Sequence, residues 1–308
     1  MSVFLVTGGS GFIGTHLCLT LLAKGHELII LDRKLSALSH PKLRMVQGSV
    51  TDADLVAALL ASVNGCFHLA AIASVVESQE KWVTSHEINQ TAVIIILEAL
   101  RDLKRQGKVC PLVMASSAAV YGDNTHLPLQ ETTKVNPLSA YAIDKYASEL
   151  HAHIGATLYQ LSSASLRFFN VYGEGQDPNS PYSGVISIMQ ERFSSQEPFT
   201  LFGDGTQTRD FIHVSDVVNA CILAMQYITE HEGHYVLNVC TGKEQSLLDL
   251  IDIFTKIYGK KTQILYKPPR AGDVKHSCGD AALAEKTLGF KAKLCLQEGL
   301  ASWLTKPT

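Results

Sequence analysis

The sequence predicts an α/β protein: a doubly wound parallel sheet with a smaller α/β lobe beside it. Three observations carry that prediction. Short, near-continuous apolar runs alternate with longer amphipathic stretches through the first half of the chain, the pattern of a parallel sheet covered on both faces. A glycine-rich turn separates the first apolar run from the first amphipathic stretch. Beyond about residue 170 the alternation gives way to polar, turn-rich segments among short helices. A chain of 308 residues buries roughly 75% of the surface it exposes when unfolded, enough for one large domain or two of about 150 residues.

The elements follow in order. VFLVT (3–7) reads as the first strand, and IGTHLCLTLLAK (13–24) repeats its apolar residues near helical spacing until Gly25 stops it. ELIILD (27–32), LRMVQG (43–48), CFHLA (66–70) and PLVMASS (111–117) read as further buried strands, with helices over 52–60, 81–105 and 141–160. The stretches 173–184, 201–211 and 267–280 are polar loops. The expected division is therefore 1–170, joined by about 211–240, for the sheet domain, and 171–308 for the second lobe.

Hydrophobic residues make up 46% and charged residues 18% of the chain, which excludes a disordered, collagenous or coiled-coil protein. A net charge of −3 with no long basic run points away from nucleic acid and anionic membrane surfaces. The N-terminus has no basic segment before its apolar run, and AVIIILEAL (92–100) is broken by Glu98, far short of the roughly 20 residues a membrane span needs. Seven widely spaced cysteines without a CxxC pair suit a reducing compartment, so a cytoplasmic protein with mostly buried thiols is expected. His151 and His153 stand two apart on a helix, where side chains diverge, so no metal site is expected.

Gly8-Gly9-Ser10-Gly11-Phe12-Ile13-Gly14 follows the first strand and opens the first helix. A tight turn without Cβ atoms lets backbone amides approach a pyrophosphate at the positive end of that helix. The pattern alone is weak; its place between strand and helix gives it force. Asp32 closes the next strand, where a carboxylate accepts hydrogen bonds from a ribose 2′-hydroxyl and repels a 2′-phosphate. NAD is thus favoured over NADP, with Arg33 beside it weakening the preference.

Tyr141 and Lys145 stand four apart on one helical face. Such pairs are common, and the informative feature is Ser116-Ser117 at the end of the fifth strand, where a parallel sheet presents residues to its ligand crevice. A nearby ammonium would lower the tyrosine pKa toward neutrality. Tyr141 would then act as general base on a sugar hydroxyl while hydride leaves the same carbon, with Ser117 bonding the same oxygen.

The motifs GGSGFIG (8–14), HLAA (68–71), Asn89, SSAAVYG (116–122), YAIDK (141–145), RFFNVYG (167–173), GDGTQTRDFIHVSD (203–216) and PPRAGD (268–273) run in order through nearly the whole chain. In them the sequence resembles the extended short-chain dehydrogenase/reductase family, in particular its UDP-sugar 4-epimerase branch. The resemblance implies a Rossmann-type NAD domain, a lobe for the nucleotide sugar and a homodimer formed by the 81–105 and 141–160 helices. It implies Ser117, Tyr141 and Lys145 as the catalytic triad, with Lys145 also holding the nicotinamide ribose. Gly8, Gly11, Phe12, Ile13, Gly14, Asp32, Arg33, Ser49, Val50, Leu69, Ala70, Ala71, Asn89 and Phe169 would line the cofactor. Asn170, Arg209 and Arg270 would hold the UDP diphosphate, Asp273 a ribose hydroxyl, and Ser183, Thr200 and Phe202 the uridine. Two arginines from distant loops suit a diphosphate, because the guanidinium fork binds bidentately.

The sequence also departs from the family pattern. Gly48-Ser49 replaces the Gly-Asp that meets adenine in many relatives, and residues 72–76 lack the basic residue that many carry. Ser74 to Ser78 is instead similar to N-acetylhexosamine epimerases, and Ser277 falls where glucose-restricted enzymes carry a tyrosine. A phenol would fill the space an N-acetyl group needs, so the resemblance extends the expected substrates to UDP-GlcNAc and UDP-GalNAc beside UDP-glucose and UDP-galactose. A 4,6-dehydratase needs a carboxylate beside the catalytic serine, but Ala118 and Ala119 stand there. Asp32 opposes an NADPH-dependent 4-keto-sugar reductase. A non-catalytic, cofactor-sensing protein would have no need of Ser117, Tyr141 and Lys145 together.

Overall fold

The structure is a computed structural model that describes residues 1–178, 184–269 and 274–304, without the side chains of residues 75 and 76. Its first half places a strand at each apolar run: β1 (Val3–Thr7), α1 (Phe12–Ala23), β2 (Glu27–Asp32), β3 (Leu43–Gln47), α2 (Ala53–Leu60) and β4 (Gly65–His68). Then come α3 (Val75–Glu80), α4 (Trp82–His86), α5 (Ala92–Arg105), β5 (Leu112–Ser117), α6 (Ala140–Tyr159) and β6 (Ser163–Phe168). The remainder supplies β7 (Asn170–Tyr172), α7 (Val185–Ser195), β8 (Phe199–Phe202), β9 (Thr208–His213), α8 (Val214–Glu230) and β10 (His234–Val239). It ends in β11 (Glu244–Ser246), α9 (Leu247–Tyr258), β12 (Ile264–Lys267), α10 (Ala282–Leu288) and α11 (Leu296–Leu304).

Seven parallel strands form one sheet in the order β10-β6-β5-β4-β1-β2-β3. One face packs against α1 and α8, through Leu17, Leu21, Val217 and Cys221 with Val6, Phe67 and Val113. The other packs against α2, α5 and α6, through Val56, Ile96, Leu100 and Ala152 with Leu5, Cys66 and Leu112. β10 and α8 thus belong to the large sheet although they follow the lobe's first strands in sequence. The lobe carries a three-stranded sheet, β11-β9-β7, a two-stranded one, β12-β8, and its own core around Met189, Phe193, Phe211 and Phe254.

Helix boundaries follow from caps. Asp52 accepts from the Leu55 amide to start α2, and Ser139 accepts from Ala142 to start α6. Gln160 ends α6 in the left-handed conformation at φ 55°. The helix expected over 81–105 is broken into α4, a π-turn at Glu87–Thr91 and α5. The wider turn goes with a cross-link: Asn89 faces the β4–α3 connection and bonds both backbone polar groups of Ile72. Periodicity does not flag β6, whose SASLRF is polar yet buried at every position, because its serines and Arg167 find partners inside the protein.

Among the described residues no helix is long and apolar enough to cross a membrane. All seven cysteines are free, and six are buried.

Candidate active site

The strand order reverses between β1 and β4, and the crevice at their carboxyl ends is where an open parallel sheet receives a ligand. The glycine turn lies on one side of it. Gly8 has φ +71°, and a Cβ there would stand 2.6 Å from the Ala70 backbone nitrogen; a Cβ on Gly14 would stand 2.2 Å from the Gly8 carbonyl oxygen. Any larger residue would push the loop away from Ala70 or off the start of α1. The Asp32 carboxylate reaches this loop, accepting from the Ser10 amide at 3.1 Å and from Lys34 at 3.0 Å. Arg33 beside it is exposed. Phe12 and Ile13 begin α1 just beyond the loop.

At the end of β3, the Ser49 hydroxyl is engaged locally with Thr51 at 2.7 Å, and Val50 is buried. Leu69, Ala70 and Ala71 continue β4 past the glycine loop, the Ala70 amide donating to Thr7 Oγ1. Asn89 is buried beside the crevice wall. Its Oδ1 accepts from Ile72 at 2.8 Å, and its Nδ2 donates to the Ile72 carbonyl and Ser85. It holds the crevice wall through the backbone of Ile72.

Ser117, Tyr141 and Lys145 come together at the end of β5 and the start of α6. The Ser117 hydroxyl accepts from the Ala119 amide at 3.1 Å and stands near enough to the Tyr141 phenol to favour its charged form. The Lys145 ammonium lies 5.8 Å from the Tyr141 ring centre and donates to the Ala115 carbonyl at 2.9 Å. Burial pulls this lysine down to about 8, with Asp144 and Glu149 opposing. The tyrosine departs from the expectation that it is lowered: burial pushes its phenol above the ordinary value, and the Ser117 hydroxyl pulls the other way. Desolvation penalises the phenolate, and the lysine is bonded to a carbonyl of β5 instead of the phenol.

Behind this group lies a set of buried polar residues that sequence reasoning missed. His68 Nδ1 bonds Thr7 Oγ1 at 2.7 Å, and Nε2 is buried without a partner among the described residues. Burial, reinforced by Lys145, holds the imidazole neutral, down to about 3. Glu149 accepts from Ser116 and from Arg167, and Arg167 reaches Tyr121. The available signal was position: Glu149 is one helical turn beyond Lys145, and Arg167 pairs with Ser116 across β5 and β6.

In the lobe, Asn170 on β7 pairs with Phe211 on β9, next to Arg209, whose Nη1 donates to Thr208 and Lys275 carbonyls. The chain at 275–277 is clipped to the same strand: Thr208 N donates to the Lys275 carbonyl at 2.9 Å, and Ser277 N to the Thr208 carbonyl at 3.2 Å. Asn170, Arg209 and Ser277 therefore share one strip. Asp210, buried between them, accepts from Thr241, Gly242 and Gly279 amides, which seats Gly279 against Phe169. Thr200 and Phe202 lie on β8, opposite Leu265 and Lys267. Ser74 is buried, and its hydroxyl caps α3 by accepting from Glu77. Ser183, Arg270 and Asp273 lie outside the described residues.

The sequence profile of the NAD dependent epimerase/dehydratase family matches residues 4–240. The chain belongs to that family. It is 35% identical over 307 residues to the UDP-glucose 4-epimerase of Mycolicibacterium smegmatis, covering 96% of each chain. Among solved structures it is similar to the Thermotoga maritima UDP-glucose 4-epimerase with UDP-glucose, at TM-score 0.90 and 33% identity over 98% of this chain and 97% of that one. It is equally similar in shape, at 31% identity and the same coverage, to a Methanobrevibacter ruminantium UDP-N-acetylglucosamine 4-epimerase in complex with UDP-N-acetylmuramic acid.

Members of an NAD dependent family need a dinucleotide site, and the residues present fit one. The cradle that a Cβ would fill at Gly8 and Gly14 leaves the backbone open at the positive end of α1, and Asp32 stands at the adjoining strand end for a ribose hydroxyl.

Proposed function

We propose that this family member is an NAD-dependent UDP-sugar 4-epimerase that interconverts UDP-GlcNAc with UDP-GalNAc as well as UDP-glucose with UDP-galactose. The observation that carries the reading is the meeting of Ser117, at the end of β5, with Tyr141 and, one turn on, Lys145 at the start of α6, the ammonium lying 5.8 Å from the Tyr141 ring centre. Bound NAD supplies a reversible hydride acceptor. Tyr141 takes the proton of the carbon-4 hydroxyl and returns it after the 4-keto sugar has turned over. Ser117 bonds the same oxygen and keeps the phenol aimed at it. Lys145 offers its ammonium to a cofactor ribose and to the developing phenolate. Residues 118 and 119 are alanines, so no carboxylate beside Ser117 draws a proton from carbon-5, and the keto sugar is carried back to an alcohol.

Asn170 and Arg209, with Arg270, are the proposed diphosphate ligands; Thr200, Phe202 and Ser183 are placed near uridine, and Asp273 at its ribose. Ser277 is the proposed gate for the 2-acetamido group, supported by its place beside Arg209. The domain reading assigns 1–170, with α8 and β10, to NAD and the rest to the sugar nucleotide. The chain is proposed to act as a cytoplasmic homodimer. In support of the dimer, α6 exposes Ile143, Leu150, Ile154 and Leu158, and neighbouring α4 exposes Trp82 and Val83, and exposed apolar side chains gathered on adjoining helices mark interaction sites.

The test is a panel of UDP-hexoses with product separation. Conversion of both acetylated and plain sugars is expected, and Ser277→Tyr should abolish only the acetylated reaction. An unaltered enzyme that ignores UDP-GlcNAc, or a tyrosine variant that still accepts it, would overturn the gate.

A further inference from the structure

The buried polar chain behind the catalytic group offers more than packing. Ser116 Oγ donates to Glu149 Oε1 at 2.5 Å. Arg167 donates to the same carboxylate through Nε at 2.9 Å and through Nη2 at 2.6 Å. Its third nitrogen, Nη1, bonds the Tyr121 hydroxyl at 2.9 Å, and that hydroxyl donates to Asn238 on β10 at 2.7 Å. Glu149 and Arg167 are both nearly inaccessible, at 3% and 4% side-chain exposure. A buried ion pair adds little net stability compared with apolar residues of the same shape, so its position calls for another account.

That position is specific. Ser116 immediately precedes Ser117, so the carboxylate is tied to the end of β5 that presents the catalytic serine. Glu149 also sits one turn past Lys145 and two past Tyr141 on α6. One side chain thereby spans the strand carrying Ser117 and the helix carrying Tyr141 and Lys145.

We propose that Glu149 is a positioning residue of the reaction: through Ser116 it sets the end of β5 against α6, and its carboxylate balances the Lys145 ammonium across one helical turn. The proposal rests on the epimerase reading above for the roles of Ser117, Tyr141 and Lys145. The other groups facing Lys145 are Tyr141 and Asp144 on α6 and His68 on β4. His68 is neutral, and Asp144 is bonded to His86 at 2.9 Å. Removing the Glu149 charge leaves the Arg167 cation uncompensated and makes the Lys145 ammonium harder to keep.

Two variants separate the two roles. Ser116→Ala removes the tie but keeps the charge. Its kcat should fall about tenfold, as misplacement of reacting groups does, with KM, melting temperature and the basic limb of the pH profile unmoved. Glu149→Gln keeps an acceptor for Ser116 but removes the charge. The basic limb of its pH–rate profile should move down by roughly one unit. The same shift should appear, independently of turnover, in the pH dependence of Lys145 labelling by an acyl ester, read by peptide mass spectrometry. Unchanged kcat in Ser116→Ala, or an unmoved labelling midpoint in Glu149→Gln, would overturn the proposal. A melting-temperature loss with neither change would leave Glu149 a buttress of the fold. If Glu149→Gln does not fold, Ser116→Ala decides alone. A wild-type enzyme inactive on every UDP-hexose would sink the epimerase reading, while the labelling midpoint would still judge the Glu149 charge.

Discussion

At the scale of single residues, the chemistry turns on how burial treats each ionisable group. Tyr141 is raised and Lys145 lowered by the same desolvation, so each charged form depends on its neighbours. Tyr141→Phe keeps the ring and loses the proposed proton carrier. Turnover should drop by about 10²–10⁴, the usual worth of one acid–base group, with melting temperature and NAD content unchanged; near-normal turnover would end the general-base assignment. Asp32 accepts two backbone amides and keeps lone pairs for the proposed ribose hydroxyl. Asp32→Ala should narrow the preference for NAD over NADP in a binding titration, and tighter NADP binding by the unaltered protein would contradict the argument.

At the scale of elements, α6 has three jobs on three faces. Its start carries Tyr141 and Lys145, its inner face buries Ala142, Ser148 and Ala152, and its outer face exposes Ile143, Leu150, Ile154 and Leu158. A solvated outer stripe tolerates charge, whereas an interface does not. Leu150→Glu should therefore convert the proposed dimer to a monomer in analytical ultracentrifugation without unfolding it. A wild-type protein that sediments as a monomer at assay concentration would remove the dimer. The π-turn before α5 makes the complementary point, because it holds Asn89 where it bonds both backbone polar groups of Ile72.

At the scale of the whole molecule, two histidines couple folding to pH. Burial lowers His68 to about 3 and His234 to about 4, the latter also repelled by His153 and Arg167. Both are held neutral when folded but gain protons near their ordinary value of 6.5 when unfolded. Their contribution is present above pH 6.5 and is lost as pH falls toward 3 to 4. The slope is about 1.4 kcal/mol per pH unit for each group, so at pH 5 the fully buried His68 alone costs roughly 2 kcal/mol. Denaturant midpoints should fall between pH 6.5 and pH 5, and His234→Gln should flatten the decline; a flat profile in the unaltered protein would refute the linkage.

The sequence by itself determined the parallel sheet, the glycine cradle with Asp32 and the Ser117–Tyr141–Lys145 group. These depend on local signals: apolar runs, a strand–turn–helix junction, and four-residue spacing on a helix. Only the tertiary structure decided that polar β6 is wholly buried and that the long helix expected over 81–105 breaks at Asn89. Only it raised the Tyr141 phenol and joined Ser116, Glu149 and Arg167 into one buried carboxylate site. Each of these depends on partners far apart in the chain. A serine or arginine reads as solvent-facing until folding brings it a hydrogen-bond partner, and a pKa follows the water that packing removes.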